Sequence, residues 1–169
     1  FPDDDCRLST MSRFFAATAS QIGLRLRARL RTDDDLDSVA QRVAASLAGG
    51  GVATEADQRR PVIVVATKAQ AGATLVRALR DAGVQERVIG TSSFAERAFV
   101  ETLAATPAER ANPGYYTNGV YSLAPMLYAS ANHEAQRFEQ RYVDAFDVEP
   151  GWAAAFAYDA TTILARGLA

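Results

Sequence analysis

The stretch "PVIVVATKAQAGATLVRALRDAGVQERVIG", residues 61–90, decides the fold class of this 169-residue chain. Its first six residues form an apolar run, which is typical of a central strand covered on both faces. Residues 71–82 then read as a helix that ends before a glycine, and "RVIG" at 87–90 reads as a second strand. This order predicts two parallel strands joined by a crossover helix.

The alternation of strands and helices continues on both sides of this stretch. Upstream, "LRLRARLR" at 24–31 alternates apolar residues with arginines, which predicts a strand with one polar face. Helices are expected at 9–22, 35–48, near 94–103, near 131–146 and at 152–168, and a further strand near 119–124. This alternation predicts the α/β class, with a doubly wound parallel sheet, helices on both faces and two C-terminal helices.

Composition excludes several classes of protein. A formal net charge of -2 gives no reason to expect a nucleic-acid partner. The single cysteine, Cys6, excludes an intrachain disulfide, and no apolar stretch reaches the roughly 20 residues of a membrane span. No motif calls for a cofactor.

The acidic triplet Asp3–Asp5 fits two interpretations. Clustered carboxylates bind Mg²⁺ in phosphoryl-accepting receiver domains, whereas a strand end followed by a helix start also favours Asp as a cap. Capping is preferred, because "PVIVVATK" ends in Ala66 and Thr67 where a receiver domain needs its acceptor Asp. His133, the only histidine, has no partner for a metal site, and neither catalytic serine motifs nor a metal centre indicates an enzyme.

The candidate ligand site follows from the predicted sheet. Ligands of such sheets bind beyond the carboxyl ends of the strands. The loops after "VIVVA" and "VIG" should therefore surround one cleft lined by Thr67, Lys68, Thr91, Ser92 and Ser93, with Phe94 as an apolar wall. The alternative is that Thr91 and Ser92 only cap the helix that follows.

The C-terminal segment carries a family resemblance. "NGVYSLAPMLYASANHEAQRFEQRYVDAFDVEPGWAAAFAYDATTILARGL", residues 118–168, resembles the late segment of type I periplasmic ligand-binding proteins, the branched-chain amino-acid receptor group of ABC transporters. Matching motifs are Phe138, Tyr142 and Phe146 at intervals of four, then Pro150, then Tyr158, Asp159 and Ala160. The stretch at 62–94 is similar to the second lobe of the same family, so the resemblance covers almost the whole chain.

The resemblance implies a periplasmic or extracellular, non-enzymatic receptor that closes two lobes around a small-molecule ligand and delivers it to an ABC permease. It implies that residues 1–121 are the second lobe, and that 122–169 are a hinge segment and two helices that pack on a first lobe missing here. The alternatives are the sensing ectodomain of a membrane signalling receptor with the same fold, and a flavodoxin-like receiver domain or enzyme.

The resemblance also bears on ligand chemistry. In amino-acid-binding relatives the second lobe supplies an acidic group for the ligand's ammonium, whereas the loops here offer hydroxyls and Lys68, with Glu96 the nearest carboxylate. This departure favours a neutral or anionic solute, such as a carboxylate that accepts hydrogen bonds from Lys68 and the hydroxyl groups, over an amino acid.

The last predicted helix is apolar on nearly every side, which is typical of a helix buried on every side. Trp152, Phe156, Ile163 and Leu164 are therefore expected to pack on the sheet, a neighbouring chain or a swapped copy, with a homodimer favoured.

Overall fold

The computed structural model describes residues 4–21, 23, 30, 35–49, 61–124 and 127–168, and for residues 4–12 it describes the backbone only. The chain divides into two compact units, Phe1–Leu123 and Ala124–Ala169. The predicted strand at 24–31, apart from Leu30, and the side chains of the acidic triplet lie outside the described residues.

The first unit alternates helices and strands. In chain order it contains α1 (Asp4–Gln21), α2 (Leu36–Ala48), β1 (Val62–Val65), α3 (Ala69–Asp81), β2 (Arg87–Gly90), a 3₁₀ turn (Ser92–Ala95), α4 (Arg97–Ala104), α5 (Pro107–Ala111) and β3 (Val120–Ser122). The three strands form a parallel sheet in the order β1-β2-β3. The predicted α/β class with a parallel sheet is confirmed.

One face of the sheet forms the core of this unit. Val65 and Val88 are buried on that face, and they pack with side chains from α2, α3 and α4. Alternation along β1 sends Val62 and Val64 to the opposite face, where they remain 47% and 41% exposed. Among the described residues, β1 is therefore well covered on one face and only partly covered on the other.

Several boundaries differ from the prediction for identifiable reasons. Helix α1 begins at Asp4, five residues before the first predicted helical position, because acidic residues are favourable in the first turn of a helix. The helix expected near 94–103 is interrupted at Glu96, which ends the 3₁₀ turn and begins α4. Helix α5 was not predicted, although Thr106 caps it through the N–H of Glu109 and Pro107 occupies its first turn.

The second unit contains the two predicted C-terminal helices, α6 (His133–Phe146) and α7 (Trp152–Leu168). Asn132 begins α6 by accepting hydrogen bonds from the N–H groups of Glu134 and Ala135. Phe138 is buried between the helices, with its ring 4.7 Å from that of Tyr158.

Much of α7 is exposed within this structure. Phe156 is 46% exposed, Ile163 is 70% exposed and Leu164 is 66% exposed. Trp152 is half-buried, and its ring centroid lies 5.6 Å from that of Phe156. The expected packing of the exposed side chains on the sheet, a neighbouring chain or a second copy stays a prediction.

Candidate functional site

The carboxyl ends of all three strands meet at one edge of the sheet. The parallel register pairs Val65 of β1 with Gly90 of β2, and Gly90 with Ser122 of β3. The loop at 66–68 and the loop at 91–93 therefore leave the sheet side by side, as the sequence predicted. We call residues 67, 68, 91, 92 and 93 the edge loops.

A chain of hydrogen bonds ties the edge loops together. The Ser93 hydroxyl donates to the main-chain carbonyl of Thr67 at 2.6 Å. The Thr91 and Ser93 hydroxyl oxygens lie 2.9 Å apart, and the Ser122 hydroxyl donates to the carbonyl of Thr91 at 3.2 Å. Residues from all three strand ends thus fix each other's positions.

The six predicted site residues differ in how far they are exposed. Lys68 is exposed, whereas Thr91, Ser92 and Ser93 are half-buried and Thr67 is buried. Thr91 makes no side-chain capping bond to the turn that follows, so for this residue the capping alternative is not realised. Its hydroxyl instead contacts Ser93.

Phe94 lies beneath the edge loops and does not form an apolar wall above them. Its ring is 3% exposed and stacks on Phe99 with 4.2 Å between ring centroids. A Cβ at Gly72 or Gly90 would come within 2.3 Å or 2.1 Å of this ring. The predicted wall is thus corrected to a buried support, which the two glycines make room for.

Arg80 secures the opposite, amino-terminal end of the strands. Its guanidinium is buried in α3 and donates to the carbonyls of Val84 at 2.8 Å, Glu86 at 3.2 Å and Asn118 at 2.9 Å. Burial lowers the pKa of Arg80, and the nearby Glu86 carboxylate opposes that shift. The role of Arg80 was not predicted from the sequence, because an arginine near the end of a helix is usually exposed.

Glu109 organises the turn that leads into β3. Its carboxylate accepts hydrogen bonds from the N–H of Gly114 at 2.8 Å, the N–H of Tyr116 at 2.6 Å and the Thr117 hydroxyl at 2.7 Å. Burial alone would raise the pKa of Glu109, but these donors lower it below its ordinary value. An acidic residue shortly before the turn-rich "NPGYYTNG" was the sequence signal for this role.

The described part of the chain contains neither a candidate membrane span nor a candidate metal site. None of its helices has the length and hydropathy that a membrane span requires. Its His, Cys, Asp and Glu side chains form no group of three or more that could hold a metal ion.

Comparison with known proteins identifies the family of the chain and agrees with its fold. The model of a family described as periplasmic binding protein matches residues 10–169. No curated protein matches the chain. Proteins of this family bind small ligands outside the cytoplasm and are typically not enzymes, so ligand binding and an extracytoplasmic location follow for this chain. The chain belongs to the periplasmic binding protein family, which agrees with the type I resemblance of its sequence.

Proposed function

We propose that the chain is the second lobe and hinge region of a solute receptor that closes around a small organic molecule and delivers it to an ABC-type permease. Two-lobed receptors of this kind close by hinge motion around the ligand. Residues 1–121 form the ligand-binding lobe in this proposal, and residues 122–169 belong to the hinge and to the packing with a first lobe.

The observation that carries the proposal is the geometry of the edge loops. The bond from Ser93 to the Thr67 carbonyl and the buried ring of Phe94 hold polar side chains of two loops in one fixed arrangement. A rigid polar surface of this kind binds a ligand without a large ordering cost. Lys68 and Ser92 belong to the same surface and complete the proposed binding set.

The proposed ligand is neutral or anionic. The edge loops carry one cation and no carboxylate, and Glu96 follows only after the 3₁₀ turn. A carboxylate would gain a charge-assisted interaction with Lys68, whereas an ammonium would find no opposite charge in this set.

Calorimetry tests the binding assignment. A thermal-shift screen of metabolites on the full protein first identifies a ligand, since binding stabilises the folded state. Lys68→Ala and Ser93→Ala are each expected to weaken its binding about tenfold, the effect of one lost polar contact. Thr74→Ala is the matched control, because the Thr74 hydroxyl donates to the carbonyl of Gln70 within α3 and does not belong to the edge loops. Unchanged affinity in both test variants contradicts the assignment.

The same protein distinguishes transport from sensing. Reconstitution with a candidate permease and its ATPase should give ligand-dependent ATP hydrolysis if the receptor serves uptake. A receptor that binds its ligand but couples only to a signalling domain would replace the transport proposal with the sensing alternative.

A further inference from the structure

The hydroxyl protons of Thr91, Ser93 and Ser122 are already committed to acceptors within the protein. A serine hydroxyl has one proton, and the Ser93 proton is donated to the Thr67 carbonyl. The contact of 2.9 Å between Thr91 and Ser93 therefore has Thr91 as its donor. The Ser122 proton is likewise donated, to the Thr91 carbonyl.

These hydroxyl oxygens can still accept hydrogen bonds. Thr91 Oγ1 keeps both of its lone pairs, and Ser93 Oγ keeps the one that Thr91 does not use. Both side chains are half-buried, which leaves part of each accessible to a ligand. A ligand atom that meets this pair must therefore be a hydrogen-bond donor.

This polarity refines the ligand chemistry expected from the sequence, where these hydroxyls were treated as donors to a carboxylate. Thr91 and Ser93 can act as such donors only after giving up an existing bond. Lys68, which directly follows Thr67, is a hydrogen-bond donor and a cation. The edge loops therefore present acceptors at Thr91 and Ser93 and a donor at Lys68.

We infer that this lobe selects a small hydroxylated carboxylate whose hydroxyl donates to the Thr91–Ser93 pair while its carboxylate lies on the side of Lys68. The inference rests on the proposed function, because it assumes that the edge loops face the ligand. It predicts discrimination between an alcohol and the ether of the same shape, since the ether keeps the oxygen and loses only the proton. A site built to accept a hydrogen bond rejects the analogue that cannot donate one.

The test uses the full protein and matched probe pairs: lactate with 2-methoxypropionate, 3-hydroxybutyrate with 3-methoxybutyrate, and 4-hydroxybenzoate with 4-methoxybenzoate. Affinities are measured by calorimetry. In at least one pair the alcohol is expected to bind about tenfold more tightly than the ether, the effect of one hydrogen bond.

Ser93→Ala provides the sharper test. Without Ser93 Oγ, the Thr91 hydroxyl loses its internal acceptor and its proton becomes available to a ligand. The alcohol and the ether should then bind with about equal affinity, because the freed Thr91 proton can be donated to the ether oxygen. Damage to the loop alone would weaken both members of a pair equally. Thr74→Ala should leave the preference unchanged.

The outcomes separate the inference from the proposed function. Equal affinity for alcohol and ether in the parent protein, or an unchanged preference in Ser93→Ala, overturns the inference while the site stands. Failure of every probe in these pairs also overturns it, because it names this ligand class. If neither Ser93→Ala nor Lys68→Ala changes the affinity for a bound probe, the ligand binds elsewhere and the proposed function itself is overturned.

Discussion

Replacing Arg80 by methionine should destabilise the first unit strongly, although the residue is far along the sheet from the edge loops. Methionine keeps an unbranched apolar stem and removes all three donated hydrogen bonds. The bond to the Val84 carbonyl is buried, and those to Glu86 and Asn118 are partly buried. Loss of a partner costs about 1–3 kcal/mol for a buried carbonyl and less for a carbonyl that water can reach.

The opposing contribution is the charge itself. Because Arg80 is buried, its cation is held at a desolvation cost that also lowers its pKa, and methionine removes that cost. Subtracting this relief from the three lost bonds leaves an expected decrease of about 2–4 kcal/mol in the free energy of unfolding. Arg80→Lys should recover only part of the loss, since an ammonium cannot reproduce the planar fork of donors.

Urea unfolding followed by circular dichroism measures the effect. Arg77→Met is the matched control, because Arg77 is an exposed arginine one turn earlier on the same helix. The control should change the free energy of unfolding by less than about 0.5 kcal/mol. If Arg80→Met unfolds at the same urea concentration as Arg77→Met, the three bonds do not stabilise the fold and the reasoning fails.

Two further predictions concern the turn before β3 and the support beneath the edge loops. Glu109→Gln should lower the free energy of unfolding by about 1–2 kcal/mol at neutral pH through loss of charge-assisted hydrogen bonds. Because the folded-state pKa of Glu109 is lowered, this contribution is present above the ordinary glutamate pKa and is lost as pH falls through the folded value. Urea unfolding of both proteins at pH 7 and below pH ~4 should show the difference shrinking in acid, and a constant difference would contradict the assignment; the exposed Glu101→Gln is the control. Gly90→Ala should destabilise by about 1–3 kcal/mol, because its methyl would overlap the Phe94 ring, whereas Gly151→Ala adds a methyl in open space. Equal melting temperatures for the two alanine variants would show that the ring moves aside freely.

The regular elements were predictable because the residues that a helix or strand buries recur at a regular spacing in the sequence. Strand β2 was predicted at its observed bounds, and β1 and α3 within two residues at each end, since their apolar positions repeat clearly. Helix α5 was missed because five residues are too few to show a period. Its start was nevertheless encoded in Thr106, Pro107 and Glu109, which form a capping sequence.

The adjacency of the edge loops was predictable from the sequence, whereas their hydrogen bonds were not. The rule for parallel sheets located the edge loops from the order of strands alone. The direction of the hydrogen bonds between Thr91, Ser93 and Thr67 depends on distances that residue types do not encode. The burial of Phe94 likewise depends on Gly72 and Gly90, which are 18 residues apart in the sequence and which the fold brings against the same ring.

The position of Phe94 matters for attempts to change what this receptor recognises. A side chain added at residue 72 or 90 would overlap this ring, so most members of a library that varies either position would be destabilised. The hydroxyl-bearing residues above the ring contribute little to the hydrophobic core, so they can be exchanged with less risk to folding. Directed evolution at the proposed site should therefore randomise Lys68, Thr91 and Ser92 while keeping the buried ring constant.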